Sequence, residues 1–378
     1  SPPTEIARCF FIDKEGNNWI GTSDGISILN PYEQSKEYTD FSMQGDVADK
    51  AEEGFIGSSL QSEKKIWVYS HRYILCFDRN AGKFKNLEFP YLKDRISGLV
   101  VSGDSLLFIA TFNAIYRYRL ATGKIERKFP GNFKGRTNMT FDKYGQLWAV
   151  TWTNGVYKFD SDLRVRYHFL KTDSIPARQL HHNNLIAIYI PRGSDSVYIG
   201  YNGGKGYSAI HAQQNTVSSY IIPLARENER NVANTINCFL KDSKSNLWIG
   251  TFGGGLFQRN FRTQAFSTIN QSDGLKSNFV NGLVEDAQGN IWVSTSNGMN
   301  VLQNEGKTII SPDNEMVMCT NDFMGNLQRM DPESIVAFNT RKLIVYHTRH
   351  VMEKEKAGKI LISDFKISDK LRPVPLYD

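Results

Sequence analysis

A phrase of three short strands returns four times, an aromatic strand centre recurs every 40 to 50 residues or so, and Gly, Asn and Asp interrupt the apolar runs roughly every 8–12 positions. Together these predict an all-β fold: a β-propeller of four-stranded antiparallel blades, with seven blades favoured and eight possible. The phrase is clearest in CFLKDSKSNLWIGTFGGGLF, within Asn237 to Phe257. It occurs from Cys9 as CFFIDKEGNNWIGTSDGISIL, from Met139 as MTFDKYGQLWAVTWTNGVYKF and from Leu283 as LVEDAQGNIWVSTSNGMNVL.

The strand-centre position falls at Trp19, Trp67, Phe108, Trp148, Tyr198, Trp248, Trp292 and, most degraded, Val336. Solenoids of helix pairs share this period, but the runs here are short, β-branched and aromatic, as strands require. Six residues before the centre stands Asp13, Asp142, Asp242 or Asp286, and three before it Gly16, Gly145 or Gly289. An aspartate that bonds its own backbone and a glycine with positive φ make the hairpin between the first and second strands. After the centre come small residues, Ile20-Gly21-Thr22, Ile249-Gly250-Thr251 and Val293-Ser294-Thr295, which suit crowded inner strands. Asn154-Gly155, Asn297-Gly298 or Gly253-Gly254-Gly255 then turns into the third strand. Lys83–Leu87, Ile125–Phe129 and Val165–Phe169 supply fourth strands. Aspartates and tryptophans that recur at one register are fold-making positions, where each blade meets its neighbour, rather than catalytic or ligand-stacking groups.

Composition narrows the function. Hydrophobic content of 40%, with 12% aromatic, is ample for a core. No stretch approaches the roughly 18 apolar residues of a membrane span. Ser1-Pro2-Pro3 opens abruptly and without a signal peptide, as in a piece of a longer protein. The net charge of +6, without blocks of like charge, argues for an anionic ligand rather than nucleic acid. Cys9, Cys76, Cys238 and Cys319 form no CxxC pair and no zinc-ligand spacing. Cys9 and Cys238 share a repeat position, so they belong in different blades as small buried residues. Gly203-Gly204-Lys205-Gly206 lacks the P-loop pattern and reads as a β-turn. His181-His182 has no further histidine at ligand spacing. No metal and no cofactor is expected.

With these residues laid out, the chain resembles the two-component regulator propeller repeat, D-x-x-G-x-[LI]-W-[IV]-G-T-x-x-G-[GL]. The units centred on Trp19, Trp148, Trp248 and Trp292 match it closely. Seven blades are what the resemblance implies for the closed ring; one terminal unit then belongs to a neighbouring propeller. ILISDFKISDKLRPV resembles the junction with a small immunoglobulin-like domain. The expected domains are therefore a propeller over 1–351, then a linker and the first strand of a truncated immunoglobulin-like domain over 352–378. The resemblance implies the periplasmic sensor region of a hybrid two-component histidine kinase: non-enzymatic in this piece, membrane-attached through segments outside it, and self-associating in the whole receptor.

A propeller binds ligands where its second-to-third-strand loops and inter-blade loops converge. Four residues after each strand centre stand Ser23, His71, Phe112, Trp152, Asn202, Phe252, Ser296 and Thr340. Variation inside a repeating frame is what a grafted site produces. Aromatic faces stack on sugar rings, and polar neighbours orient them. The candidate ligand-binding residues are Arg72, Phe112, Asn113, Arg136, Trp152, His181, Tyr201, Asn202, Lys205 and Phe252, with His182, Lys276 and Arg341 in the same loops. This set suits an oligosaccharide, including one with carboxylate or sulfate groups. The alternatives are a protein-interaction or dimerisation scaffold, and a lyase-type propeller enzyme. The latter needs a convergent histidine, carboxylate and metal, and the loops supply no paired carboxylates.

Overall fold

The computed structural model describes residues 9–12, 18–22, 25–29, 57–62, 65–87, 89, 94–103, 105–133, 135–223, 234–311, 327–338, 343–348, 364–367 and 370–373. Seven antiparallel sheets follow one another from Gly57 to His347. The first blade is Gly57–Ser62, Lys65–Tyr69, Ile74–Asp78 and Lys83–Leu87. The second is Ile96–Ser102, Leu106–Thr111, Ala114–Arg119 and Lys124–Pro130. Asn138–Phe141, Leu147–Val150, Val156–Phe159 and Val165–Phe169 make the third. The fourth, fifth and sixth begin with the inner strands Leu185–Tyr189, Ile236–Lys241 and Val280–Glu285. The seventh has three described strands, Gln328–Asp331, Ser334–Phe338 and Leu343–His347.

The innermost strands of all seven blades line one axial channel of about 580 Å³, so the blades form a ring. It closes between the first blade and the seventh. There Ile66, Val68, Leu75 and Phe77 pack with Met330, Val336 and Val345, and Arg79 pairs with Asp331. Seven blades is the favoured count. The unit around Trp19 is a further three-stranded sheet of Cys9–Ile12, Asn18–Thr22 and Gly25–Leu29, and among the described residues none of it lines the channel. A hairpin of Asp364–Ile367 and Lys370–Pro373 follows the ring. It lies in the segment expected to hold the linker and first strand of an immunoglobulin-like domain, of which residues 352–363 lie outside the described ones.

The repeated aspartates act as the repeat implied. Asp286 Oδ1 accepts the backbone N–H groups of Gln288 and Asn290, and Oδ2 accepts Trp292 Nε1–H at 2.9 Å. Asp142 and Asp242 hold Trp148 and Trp248 the same way, each at 2.8 Å. The aspartate thus fixes the turn and satisfies the indole of a fully buried tryptophan in one step. Gly145 and Gly289 take the positive φ of this turn, at 72° and 82°. In the fifth blade Ser245 occupies that position at φ 68°. Ser245→Gly is expected to stabilise the protein by roughly 0.5–1 kcal/mol, since a side chain in the left-handed region is strained. Urea denaturation with an unchanged slope checks it.

Three residues after the centre stands a hydroxyl in six of the seven blades, the seventh having Asn339. Thr111, Thr151, Thr251 and Thr295 are buried and donate to the carbonyls of Ala114, Gly155, Gly255 and Gly298, which tightens the next turn. Two residues after the centre, the fifth blade has no room for a side chain. A Cβ on Gly250 would lie 2.4 Å from Cys238 Sγ and 2.6 Å from Val280 of the next blade.

Candidate functional site

The second-to-third-strand loops and the inter-blade loops are hydrogen-bonded edge to edge, which puts them on one face of the ring. His71 O accepts from Ile96 N at 2.8 Å, and Phe112 O from Phe133 N at 2.8 Å. Gly155 N donates to Asn183 O, Asn202 N to Asn184 O, and Phe252 N to Thr235 O. Gly253 and Gly255 both donate to Asn278 O, and Ser296 N donates to Phe279 O. The loops are pinned by backbone bonds, so their side chains are free to differ.

Exposed aromatic rings crown this face. Trp152 is 42% exposed and Phe252 51%. Phe279, on the loop entering the sixth blade, is 40% exposed and meets Phe252 edge-on at 4.9 Å. Phe112 is half-buried and edge-on to His71. The Trp152 ring packs across Gly135, where a Cβ would lie 2.7 Å from Cε3, so the tryptophan sits beside Arg136. Two aliphatic side chains, Ile175 and Ile221, are also exposed on loops of this face.

Basic groups surround the rings. Lys171, Lys205 and His181 are exposed, and His182 is half-buried with Nδ1 accepting from Asn184 N. Burial first, then the charges of Lys171, Lys205 and His181, hold the His182 imidazole below its usual pKa. Arg72 is exposed with its N–H on Ser70 Oγ, and Asn113 is exposed with its N–H on Asp94. Asn202 turns its side-chain oxygen to Gly203 N. Lys276 lies in the same loop as Phe279.

Arg136 reaches into the axial channel. It donates through Nε to Asn138 Oδ1 at 3.2 Å. Asn138 is itself held by its amide donating to Ile186 O of the fourth blade. The field of Arg136 spans the ring. Burial pushes the Cys238 thiol in the fifth blade up to about 12, with Arg136 among the groups opposing it.

Tyr201 does not belong to this surface. Its side chain is fully buried, and its hydroxyl bonds Ser208 Oγ at 2.7 Å and accepts from His181 N at 3.0 Å. It stands three residues after its strand centre, where five of the other blades place an inward threonine or serine. Its hydroxyl does the same work on a longer stem, and its ring offers no stacking face. Ser23, Thr340 and Arg341 lie outside the described residues. Phe279, Ile175, Ile221 and Lys171 were not among the sequence candidates, because the register follows the second-to-third-strand loops and says little about inter-blade loops of unequal length. Among the described residues no three His, Cys, Asp or Glu side chains gather to hold a metal. No helix among them is long and apolar enough to cross a membrane.

A ring of seven blades with pinned, variable loops on one face defines a seven-bladed β-propeller with a grafted surface. Residues 232–253 and 274–297 match the family model of the two-component regulator propeller. No curated protein matches the chain in sequence. Among solved structures it is similar to two of the extracellular domain of BT4673 from B. thetaiotaomicron, one described as a one component system and one as a hybrid two component system. Identity is 21% and 20%, with a TM-score of 0.61 in both; each match covers 91% of this chain and 46% of that chain. The WD40 β-propeller domain of Doa1 is similar at a TM-score of 0.59 and 9% identity, over 78% of this chain and 92% of that one. The chain thus spans less than half the length of the BT4673 domain.

Proposed function

We propose that this propeller is an extracytoplasmic, periplasmic ligand-sensing module of a hybrid two-component protein. Its loop face binds an oligosaccharide, and occupancy is relayed to a histidine kinase. The observation that carries the binding reading is Trp152, Phe252 and Phe279 exposed among basic and amide side chains on a face of pinned loops. Such rings offer flat apolar area beside hydrogen-bonding groups, which is what a sugar ring needs. The repeat type and the likeness to the BT4673 extracellular domain support the sensor reading. Blades packed through continuous apolar clusters do not deform easily, so the relay is a shift between two arrangements of whole domains. The chain itself carries no chemistry in this reading.

A thermal-shift screen against neutral, uronate-containing and sulfated oligosaccharides tests it. A native-state ligand at 100 Kd adds about 2.7 kcal/mol of apparent stability. Trp152→Ala is expected to weaken the binding of any hit by roughly tenfold or more, while changing the unliganded stability by no more than about 1 kcal/mol. A panel without a hit, or a hit indifferent to Trp152→Ala, sinks the loop-face reading. The exposed Ile175 and Ile221 favour a second reading, a docking face for protein, because aliphatic side chains add little to sugar recognition. A mass that rises with concentration in sedimentation, and falls back in Ile221→Ser, supports that one.

A further inference from the structure

The channel mouth carries a feature that the loop-face reading does not use. Two residues after the strand centre, five blades carry Ala110, Val150, Gly200, Gly250 and Ser294, the seventh carries Phe338 and the first carries Tyr69. Its inner-strand partner is Gly57, and a Cβ there would lie 2.4 Å from the Tyr69 hydroxyl. The tyrosine therefore lies across the glycine towards the axis and lines the channel. Its side chain is only 3% exposed, yet its hydroxyl bonds no protein group among the described residues. The Tyr69 hydroxyl is not among the buried polar atoms left without a partner, so what remains exposed of it opens onto the channel, where it can donate to a guest. Arg136 is in the same position electrostatically. Its Nε–H is held by Asn138, its two terminal nitrogens have no protein partner among the described residues, and it pairs with no carboxylate. Of the residues lining the channel, Arg136 and Arg329 are charged and none is acidic. Arg329 lies towards the hairpin between the first two strands of its blade, at the other end. Both side chains line the channel at its loop-side end, Tyr69 at the close of a second strand and Arg136 just before a first strand; burial raises the pKa of Tyr69 and the charge of Arg136 opposes the rise.

We propose that the loop-side mouth of the axial channel is an oxoanion site, in which Arg136 and the Tyr69 hydroxyl receive a carboxylate or sulfate group carried by a sugar. A guanidinium fork with its terminal nitrogens unused matches an oxoanion in bidentate geometry. The phenol donates a further hydrogen bond, with no competing negative charge to repel the guest. The channel volume is that of a small-molecule pocket. Trp152 packs over Gly135 beside Arg136, so a sugar stacked on the tryptophan brings its acidic substituent to the mouth. The inference rests on the loop-face reading for the rest of the ligand, whereas the anion site stands on the channel residues alone.

The test is titration calorimetry of the whole 378-residue chain with D-glucuronate, glucose 6-sulfate and glucose, at matched ionic strength. Glucuronate or glucose 6-sulfate is expected to bind and glucose not; which of the two binds better identifies the group. Arg136→Gln is expected to abolish the binding. Tyr69→Phe, which removes one oxygen and keeps the ring, is expected to weaken it about fivefold to tenfold. Heat no greater for both anions than for glucose overturns the proposal, as does affinity unchanged in Tyr69→Phe, even if Arg136→Gln fails to fold. Loss of neutral-oligosaccharide binding in Trp152→Ala, with no response to either anion, removes the channel site and leaves the loop face standing. Anion binding with no oligosaccharide hit does the reverse.

Discussion

Asp286→Ala is expected to destabilise the protein by about 4 kcal/mol, a large share of the total stability of an ordinary domain. The carboxylate is 2% exposed and accepts four hydrogen bonds: two from the turn backbone at Gln288 and Asn290, one from the Asn290 amide and one from Trp292 Nε1. Removing it opens the hairpin and strands the indole N–H of a tryptophan with no exposure at all. An orphaned buried donor costs roughly 1–3 kcal/mol, and bonds to a charged group are worth more than neutral ones. Asp286→Asn separates the two roles. Its oxygen can still cap the turn, but its amide faces the tryptophan as a second donor, so about half of the loss is expected. Urea denaturation with an unchanged slope measures both. A midpoint for Asp286→Ala close to the parent's shows that the repeated aspartate only decorates the turn.

Gly98→Ala is expected to cost about 3 kcal/mol, and the loss is felt between blades rather than within one. A Cβ at Gly98 would lie 2.0 Å from the carbonyl oxygen of Thr137, which belongs to the next blade. That contact is backbone, so no rotamer change relieves it. The second and third blades are joined there by Thr137 N–H on Ser97 O at 2.9 Å and by their hydroxyls at 3.2 Å. Making room for a methyl breaks this seam and adds the overpacking cost of roughly 1–3 kcal/mol. Because Thr137 follows Arg136 in the chain, the same shift is expected to weaken glucuronate binding. Denaturation and calorimetry on one preparation check both effects; a variant as stable as the parent shows that the ring tolerates local expansion.

The fold was legible because the repeat carries its own alignment. Trp67, Phe108, Trp148, Tyr198, Trp248 and Trp292 all lie in the second strand of their blade, and the proposed fourth strands Lys83–Leu87 and Val165–Phe169 have the observed bounds. A register states how far along a strand a residue lies, and less readily which way its side chain turns. Tyr201 shows the difference. It was grouped with the exposed aromatics beside Asn202, yet its position is the inward hydroxyl of Thr111, Thr151 and Thr251, and comparison down that column identifies it. Tyr69 carries a weaker signal of the same kind, a large ring opposite a glycine in a column that is small in five of the seven blades. Phe279 carried none, since its exposure depends on the path of a loop that no repeat fixes.

Among the described residues each blade is a single continuous run of chain. Six of the seven joints connect neighbours in sequence, so the chain between their partners is far shorter than the chain around the ring. The seventh, where Arg79 meets Asp331, brings together residues 252 positions apart and holds them by side chains alone. Loop-closure entropy falls entirely on that joint. In folding, the molecule is therefore a row of blades before it is a circle, and the closing contact forms last. In unfolding the order reverses: the ring opens at one place, like a cut washer, without breaking a single sheet.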